Sequence, residues 1–253
     1  MTDTLAHTVA FVTGASSGIG EATALALAQR GAAVALVARR KDRLESLAER
    51  LRGDGATALV LAADITNQRE AEAAIERTVA ELGRLDTVVN NAGVMLLGPV
   101  VGAPVEEWQT MVEINLLGLL YCSHAALPHL LRAAEDGERG VADLVNISSV
   151  AGRETRNGSA VYNATKYGVG AFSDALRKEI TRRHVRVSVV EPGAVATELA
   201  GHNRPEVLEG LNERFSGMER LHADEIADII AYIVTRPRHV AINEVLVRPT
   251  EQE

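Results

Sequence analysis

Apolar residues fall along this chain in short runs rich in Val, Leu and Ala, at 9–12, 33–38, 59–62, 85–89, 141–147, 185–190 and 244–248. Such short apolar runs read as strands. Between them apolar residues recur every three or four positions, the period of a helix. These stretches are 21–29, 67–82, 106–131, 162–183 and 223–235. In the fourth, Val169, Phe172, Leu176 and Ile180 share one face. Strands alternating with helices predict an α/β fold, a doubly wound parallel sheet of about seven strands flanked by helices. Ligands of such sheets sit at the carboxyl ends of the strands. Residues 194–221 break the alternation, being polar and carrying Gly201, Pro205, Gly210 and Gly217. An irregular stretch of that length predicts a lid over a binding site. No repeat or linker divides the 253 residues, so a single domain over 1–253 is expected.

Composition narrows the function classes. Apolar residues make up 47% of the chain, and the formal net charge is -8 with dispersed basic residues. That balance argues against nucleic-acid partners and against a polybasic membrane patch. The one cysteine, Cys122, excludes an internal disulfide and suits a reducing compartment. The opening stretch, MTDTLAHTVAFVTG, has no leader pattern. No apolar run reaches the roughly 18 residues that span a bilayer. The seven histidines show no ligand spacing, so no metal is expected. A cytoplasmic protein acting on a small molecule is expected.

The candidate chemistry lies where strands end. The run at 9–12 stops at Thr13-Gly14-Ala15-Ser16-Ser17-Gly18-Ile19-Gly20, followed by a helical stretch. Glycines at these places let backbone N–H groups approach a pyrophosphate at a helix N-terminus. The run at 33–38 ends in Arg39 and Arg40, with Ala38 where an acid would hold the ribose hydroxyls of NAD. Guanidinium groups there suit a 2′-phosphate, and therefore NADP(H). Asp64 follows the third run, placed to meet an adenine or to cap the next helix, although Thr66 suits the cap better. The fourth run leads into Asn90-Asn91-Ala92-Gly93. Asn115 stands among leucines in mid-helix, as a satisfied core amide or as a deliberate distortion. Ser149 follows the fifth run, and thirteen positions later comes Tyr162-x-x-x-Lys166. Helical spacing puts that phenol and ammonium one turn apart, and a nearby ammonium should hold the tyrosine below its ordinary value of about 10. Arg153 and Arg156 lie between Ser149 and Tyr162, at the expected pocket mouth, where one arginine would meet a substrate carboxylate. Met95 would add to an apolar wall.

In this order, Thr13-Gly14-x-x-x-Gly18-x-Gly20, Asn90-Asn91-Ala92-Gly93, Asn115, Ser149, Tyr162-x-x-x-Lys166 and Pro192-Gly193 resemble the short-chain dehydrogenases/reductases. The likeness spans essentially the whole chain. The strings VNNAGVMLLGPV, NLLGLLY, AALPHLLR and VRPT resemble the branch of clavaldehyde reductases and of hydroxy-acid and serine dehydrogenases. The resemblance implies one NAD(P)-binding Rossmann domain. It implies a catalytic set of Asn115, Ser149, Tyr162 and Lys166, with Tyr162 as general acid or base. Asn115 would bend its helix and seat a water. An NADP(H) site is implied at Gly14, Ser16, Ser17, Gly18, Ile19, Gly20, Arg39, Arg40, Asp64, Ile65, Asn91, Ala92 and Gly93, with Asn90 beside it. Tyr162, Lys166, Pro192, Gly193, Val195 and Thr197 would complete the site. Substrate contacts would come from Met95, Ser149, Arg153 and Arg156. A homotetramer or homodimer is also implied, through helices apolar on more than one face, at Leu116, Leu117, Leu119 and Leu120. A binding-only NADP(H) sensor is the alternative, but such relatives lose the tyrosine or lysine that this chain keeps.

Overall fold

The protein is described by a computed structural model over residues 5–253. Residues 1–4, the start of the stretch read for a leader, lie outside the described residues. Seven strands form one parallel sheet: β1 (Val9–Thr13), β2 (Ala33–Ala38), β3 (Ala58–Ala62), β4 (Thr87–Asn90), β5 (Ala142–Ile147), β6 (Val185–Pro192) and β7 (Glu244–Val247). Their order is β3-β2-β1-β4-β5-β6-β7. The chain therefore winds outward from β1 in one direction and from β4 in the other. The switch lies between β1 and β4, where Phe11 pairs with Val88.

Helices cover both faces. Ala10 and Val12 face a core shared with α1 (Gly18–Ala28), α2 (Lys41–Gly53) and α8 (Ala223–Val234). Phe11, one residue out of phase, faces the opposite core, beneath α3 (Gln68–Leu82), α5 (Leu119–Asp136) and α6 (Ala160–Ile180). This is why the strand runs are apolar throughout rather than alternating.

Three elements differ from expectation. The helix expected over 106–131 is α4 (Val105–Val112), a π-helical turn (Glu113–Gly118) and α5 without a break. This 32-residue rod is long and apolar enough to cross a membrane by length and composition alone. Here its inner face packs on β4 and β5 and against α3. Residues 194–221 are more ordered than expected, with a 3₁₀ turn (Glu198–His202) and α7 (Pro205–Arg214). Pro205 occupies the first turn of α7, where its missing N–H costs nothing, and Gly210 masked the helical period. The cap of α3 is Asn67, whose side chain accepts from the Arg69 and Glu70 N–H groups, rather than Thr66.

Candidate active site

The strand ends at the switch point enclose a cleft of about 410 Å³. One end is built by the glycine-rich turn. Gly14 and Gly18 have φ of +66° and +56°, a region that suits glycine. A Cβ on Gly20 would come within 2.3 Å of the Gly14 carbonyl oxygen, and one on Gly14 within 2.9 Å of Ala92 Cα. Gly20 thus serves close packing and does not line the cleft. The turn is bound to the β4 exit: Thr13 Oγ1 accepts from the Asn91 and Ala92 N–H groups at 2.9 and 3.0 Å. Asn91 Nδ2 donates to the Thr13 carbonyl at 2.9 Å. Ser17 begins α1 in an extended conformation and makes no side-chain cap bond. The first N–H groups of α1 are therefore left for an anion in the cleft.

Beyond the end of β2, Arg40 donates from Nε and Nη2 to Ser16 Oγ and from Nη2 to Ser17 Oγ. Its Nη1 donates to Glu198 at 2.9 Å. Arg39 lines the same end. It is exposed, and among the described residues it makes no side-chain hydrogen bond or ion pair. Asp64 and Ile65 form the neighbouring wall. The Asp64 carboxylate accepts from the Thr66 N–H and hydroxyl.

At the other end the candidate catalytic side chains converge. Ser149 leaves β5 in extended conformation and caps a 3₁₀ turn (Val150–Gly152), accepting from the Ala151 N–H. Tyr162 is the third residue of α6. The start of that helix is fixed by Asn163, whose Nδ2 donates to the carbonyls of Ala151 and Glu154. Ser149 and Tyr162 are thereby tied to one turn. One helical turn on, Lys166 is buried, and its Nζ donates to the Ile147 carbonyl at 3.0 Å. That Nζ stands 5.8 Å from the centre of the Tyr162 ring.

Burial reverses the charge argument made from spacing. The Tyr162 phenol is pushed up to about 12, chiefly by desolvation and partly offset by the neighbouring Ser149 hydroxyl. Desolvation also brings Lys166 down to about 8. The expectation of a tyrosine below 10 is corrected: at this depth the cost of an anion exceeds what a lysine beyond the ring returns.

Asn115 joins both readings offered for it. It sits in the π-helical turn, and its amide pairs twice with Val94, accepting from the N–H and donating to the carbonyl, both at 2.8 Å. It lies behind the cleft wall. Asn90 is not beside the cofactor end as expected. It turns into a buried chain in which its Nδ2 donates to Ser123 and Asn146, and Asn146 Nδ2 to Ser173. Gly93, Pro192, Gly193, Val195 and Thr197 line the cleft as the sequence suggests.

The proposed substrate arginines are placed elsewhere. Arg153 Nε donates to both oxygens of Glu191, at 2.7 and 2.9 Å, and its Nη2 bonds Glu244. Arg156 faces Glu154 and the Glu253 carbonyl. Met95 packs beside Tyr162, Val94 and Met111 without reaching the wall. In their place the wall carries Val94, Thr110, Ile114, Leu199 and His202, together with Glu198. The last three come from the segment after β6. Its period was too short and too interrupted to show which side chains face inward.

The chain matches the family model described as short chain dehydrogenase over residues 8–207. It is 36% identical to an uncharacterised oxidoreductase of Staphylococcus aureus (strain N315) over 245 residues, covering 97% of this chain and 98% of that one. Another uncharacterised oxidoreductase, from Staphylococcus epidermidis, is 38% identical over 241 residues, 95% of this chain and 96% of its own. Among solved structures, an alcohol dehydrogenase from the archaeon Thermococcus sibiricus complexed with 5-hydroxy-NADP superposes with a TM-score of 0.84 at 30% identity, covering 97% of this chain and 98% of that chain. The closed form of a serine dehydrogenase complexed with NADP+ gives 0.86 at 32% identity, with coverage of 97% and 96%.

Proposed function

The chain belongs to the short-chain dehydrogenase family of NAD(P)-dependent oxidoreductases, and we propose that it uses NADP(H) to interconvert an aldehyde or ketone and its alcohol, with Tyr162 as general acid and base. One observation carries this reading. A single cleft has an uncapped helix start and unpaired Arg39 at one end, and Ser149, Tyr162 and Lys166 at the other. The residues present fit the cofactor. The turn from Gly14 to Gly20 would hold the pyrophosphate, Arg39 and Arg40 the 2′-phosphate, and Asp64 with Ile65 the adenine. Lys166, Gly193, Val195 and Thr197 lie where the nicotinamide half would rest. The likeness to solved proteins complexed with NADP adds support. When bound, the nicotinamide supplies or takes the hydride.

The protein's part is proton, position and dryness. With its phenol raised to about 12, Tyr162 holds its proton at neutral pH and can deliver it to a carbonyl oxygen. Ser149, adjoining the phenol, would donate to the same oxygen and stabilise the charge that develops there. The ammonium of Lys166 favours the phenolate left behind. Asn115 acts as a positioning residue, holding Val94 at the wall.

The wall also bears on substrate. A carboxylate-bearing aldehyde or hydroxy acid would need a cation there, and Arg153 and Arg156 are occupied by carboxylates or carbonyls of the chain itself. Val94, Ile114 and Leu199, with Thr110, His202 and the Glu198 carboxylate on the same wall, favour an uncharged carbonyl compound. Val112 and Tyr167 are exposed on the long rod and on α6, which supports assembly as a homotetramer or homodimer through those faces. The test is NADPH consumption across matched aldehydes and ketones with and without a carboxylate, with NADH in parallel. Faster turnover of uncharged members with NADPH is expected. Preference for the acidic members would overturn the substrate reading, and preference for NADH the cofactor reading.

A further inference from the structure

We propose that Glu198 is a specificity-determining residue, a carboxylate of the chain's own that occupies the Arg40–Arg43 guanidinium pair and competes with the 2′-phosphate for it. The inference rests on the NADP(H) reading above. Glu198 accepts from Arg40 Nη1 at 2.9 Å with one oxygen and from Arg43 Nη1 at 2.7 Å with the other. It opens the 3₁₀ turn that follows Thr197, and Thr197 sits against the glycine-rich turn: a Cβ on Gly18 would lie 3.1 Å from its Cγ2. The segment after β6 thus reaches across the cleft and closes on the two arginines. The pairing is strong enough to hold the carboxyl down to about 2, chiefly through the Arg43 and Arg40 hydrogen bonds. Glu198 therefore stays charged through the working pH range.

The same arginine serves two masters. Arg40 is fixed against Ser16 and Ser17 in the glycine-rich turn, so its position relative to a bound dinucleotide is set before anything binds. A phosphate dianion offers three acceptor oxygens to guanidinium forks where a carboxylate offers two. Of the two arginines that line this end, Arg39 makes no ion pair among the described residues and is free to meet it. Four of the five N–H donors of Arg40 are engaged, so a phosphate that recruits Arg40 as well must share it with the Glu198 carboxylate or displace that carboxylate, and either lowers the net gain from a 2′-phosphate. An adenine nucleotide without that phosphate makes no such demand. The carboxylate thereby sets how far the site separates NADP(H) from NAD(H), and couples that choice to the segment over the cleft.

The experiment is calorimetric titration of the full chain with 2′,5′-ADP and with 5′-AMP, in wild type, Glu198→Gln and Glu21→Gln. Glu21 acts on Arg43 through charge but bonds Arg50 instead, so its variant removes an equal charge without opening the clasp. The readout is the ratio of the two dissociation constants. In Glu198→Gln the preference for 2′,5′-ADP should rise at least about threefold over wild type, the scale of one exposed ion pair. Glu21→Gln should move it less than twofold. An unchanged ratio in Glu198→Gln, or an equal rise in Glu21→Gln, overturns the proposal. In either case tighter binding of 2′,5′-ADP than of 5′-AMP by wild type leaves the NADP(H) reading standing. No preference for 2′,5′-ADP in all three proteins removes both.

Discussion

A buried phenol raised to about 12 stands one helical turn from a buried ammonium lowered to about 8, and the two shifts have the same cause. Each group is kept from water, so each resists its charged form. Tyr162 thus keeps its proton at neutral pH, as the proposed general acid must. Spacing alone predicts the opposite shift for the tyrosine, because a sequence shows separation along a helix and not depth. The lysine shift has a consequence for stability. Its folded value lies below its ordinary 10.5, so the native state carries a penalty below pH 8 that fades as pH rises toward 10.5. Wild type should therefore gain on Lys166→Met by about 2–3 kcal/mol between pH 8 and pH 10, at roughly 1.4 kcal/mol per unit. Below pH 8 the difference should be flat. Urea unfolding of both proteins across that range measures it, and a difference independent of pH would show that the ammonium is not desolvated.

The rod from Val105 to Asp136 shows what an element adds to its residues. Its π-helical turn places Asn115 so that the amide completes two hydrogen bonds with Val94, and Val94 faces the cleft. Within the same turn Gly118 allows close approach, since a Cβ there would lie 2.8 Å from Ile65 Cδ1. Two parts of the wall, Val94 and Ile65, are thus set by one distortion. Asn115→Leu should cost about 2–4 kcal/mol, because it strands a buried N–H and carbonyl. Chemical denaturation should show the midpoint falling with little change in slope. A loss under about 1 kcal/mol would mean that water replaces the amide. The asparagine was visible in sequence as an oddity among leucines, but the π-helical turn was not, since one extra residue per turn barely disturbs the apolar period. Helix α7 was hidden for a related reason: ten residues with a central glycine carry too little pattern.

At the scale of the whole molecule, the strands and the motifs at their ends were legible because burial on both faces makes each strand an apolar run and each run stops at the cleft. Gly14, Arg39, Asp64, Asn91 and Ser149 follow five different strands, and the doubly wound order brings their exits to one cleft, where Tyr162 joins them from α6. What the sequence hid was side-chain direction in loops. Arg153 and Arg156 lie near the site along the chain, yet turn to acids of their own fold. Glu198 and His202 lie far along the chain, yet close the cleft. Tyr162 is the proposed proton donor in that cleft, and Tyr162→Phe tests that role most directly, with NADPH binding by calorimetry and NADPH consumption measured on the same preparation. The prediction is a dissociation constant within about threefold of wild type and a turnover lower by about 10²–10⁴-fold, the range of a lost general acid. Turnover near the wild-type rate with binding intact would contradict it.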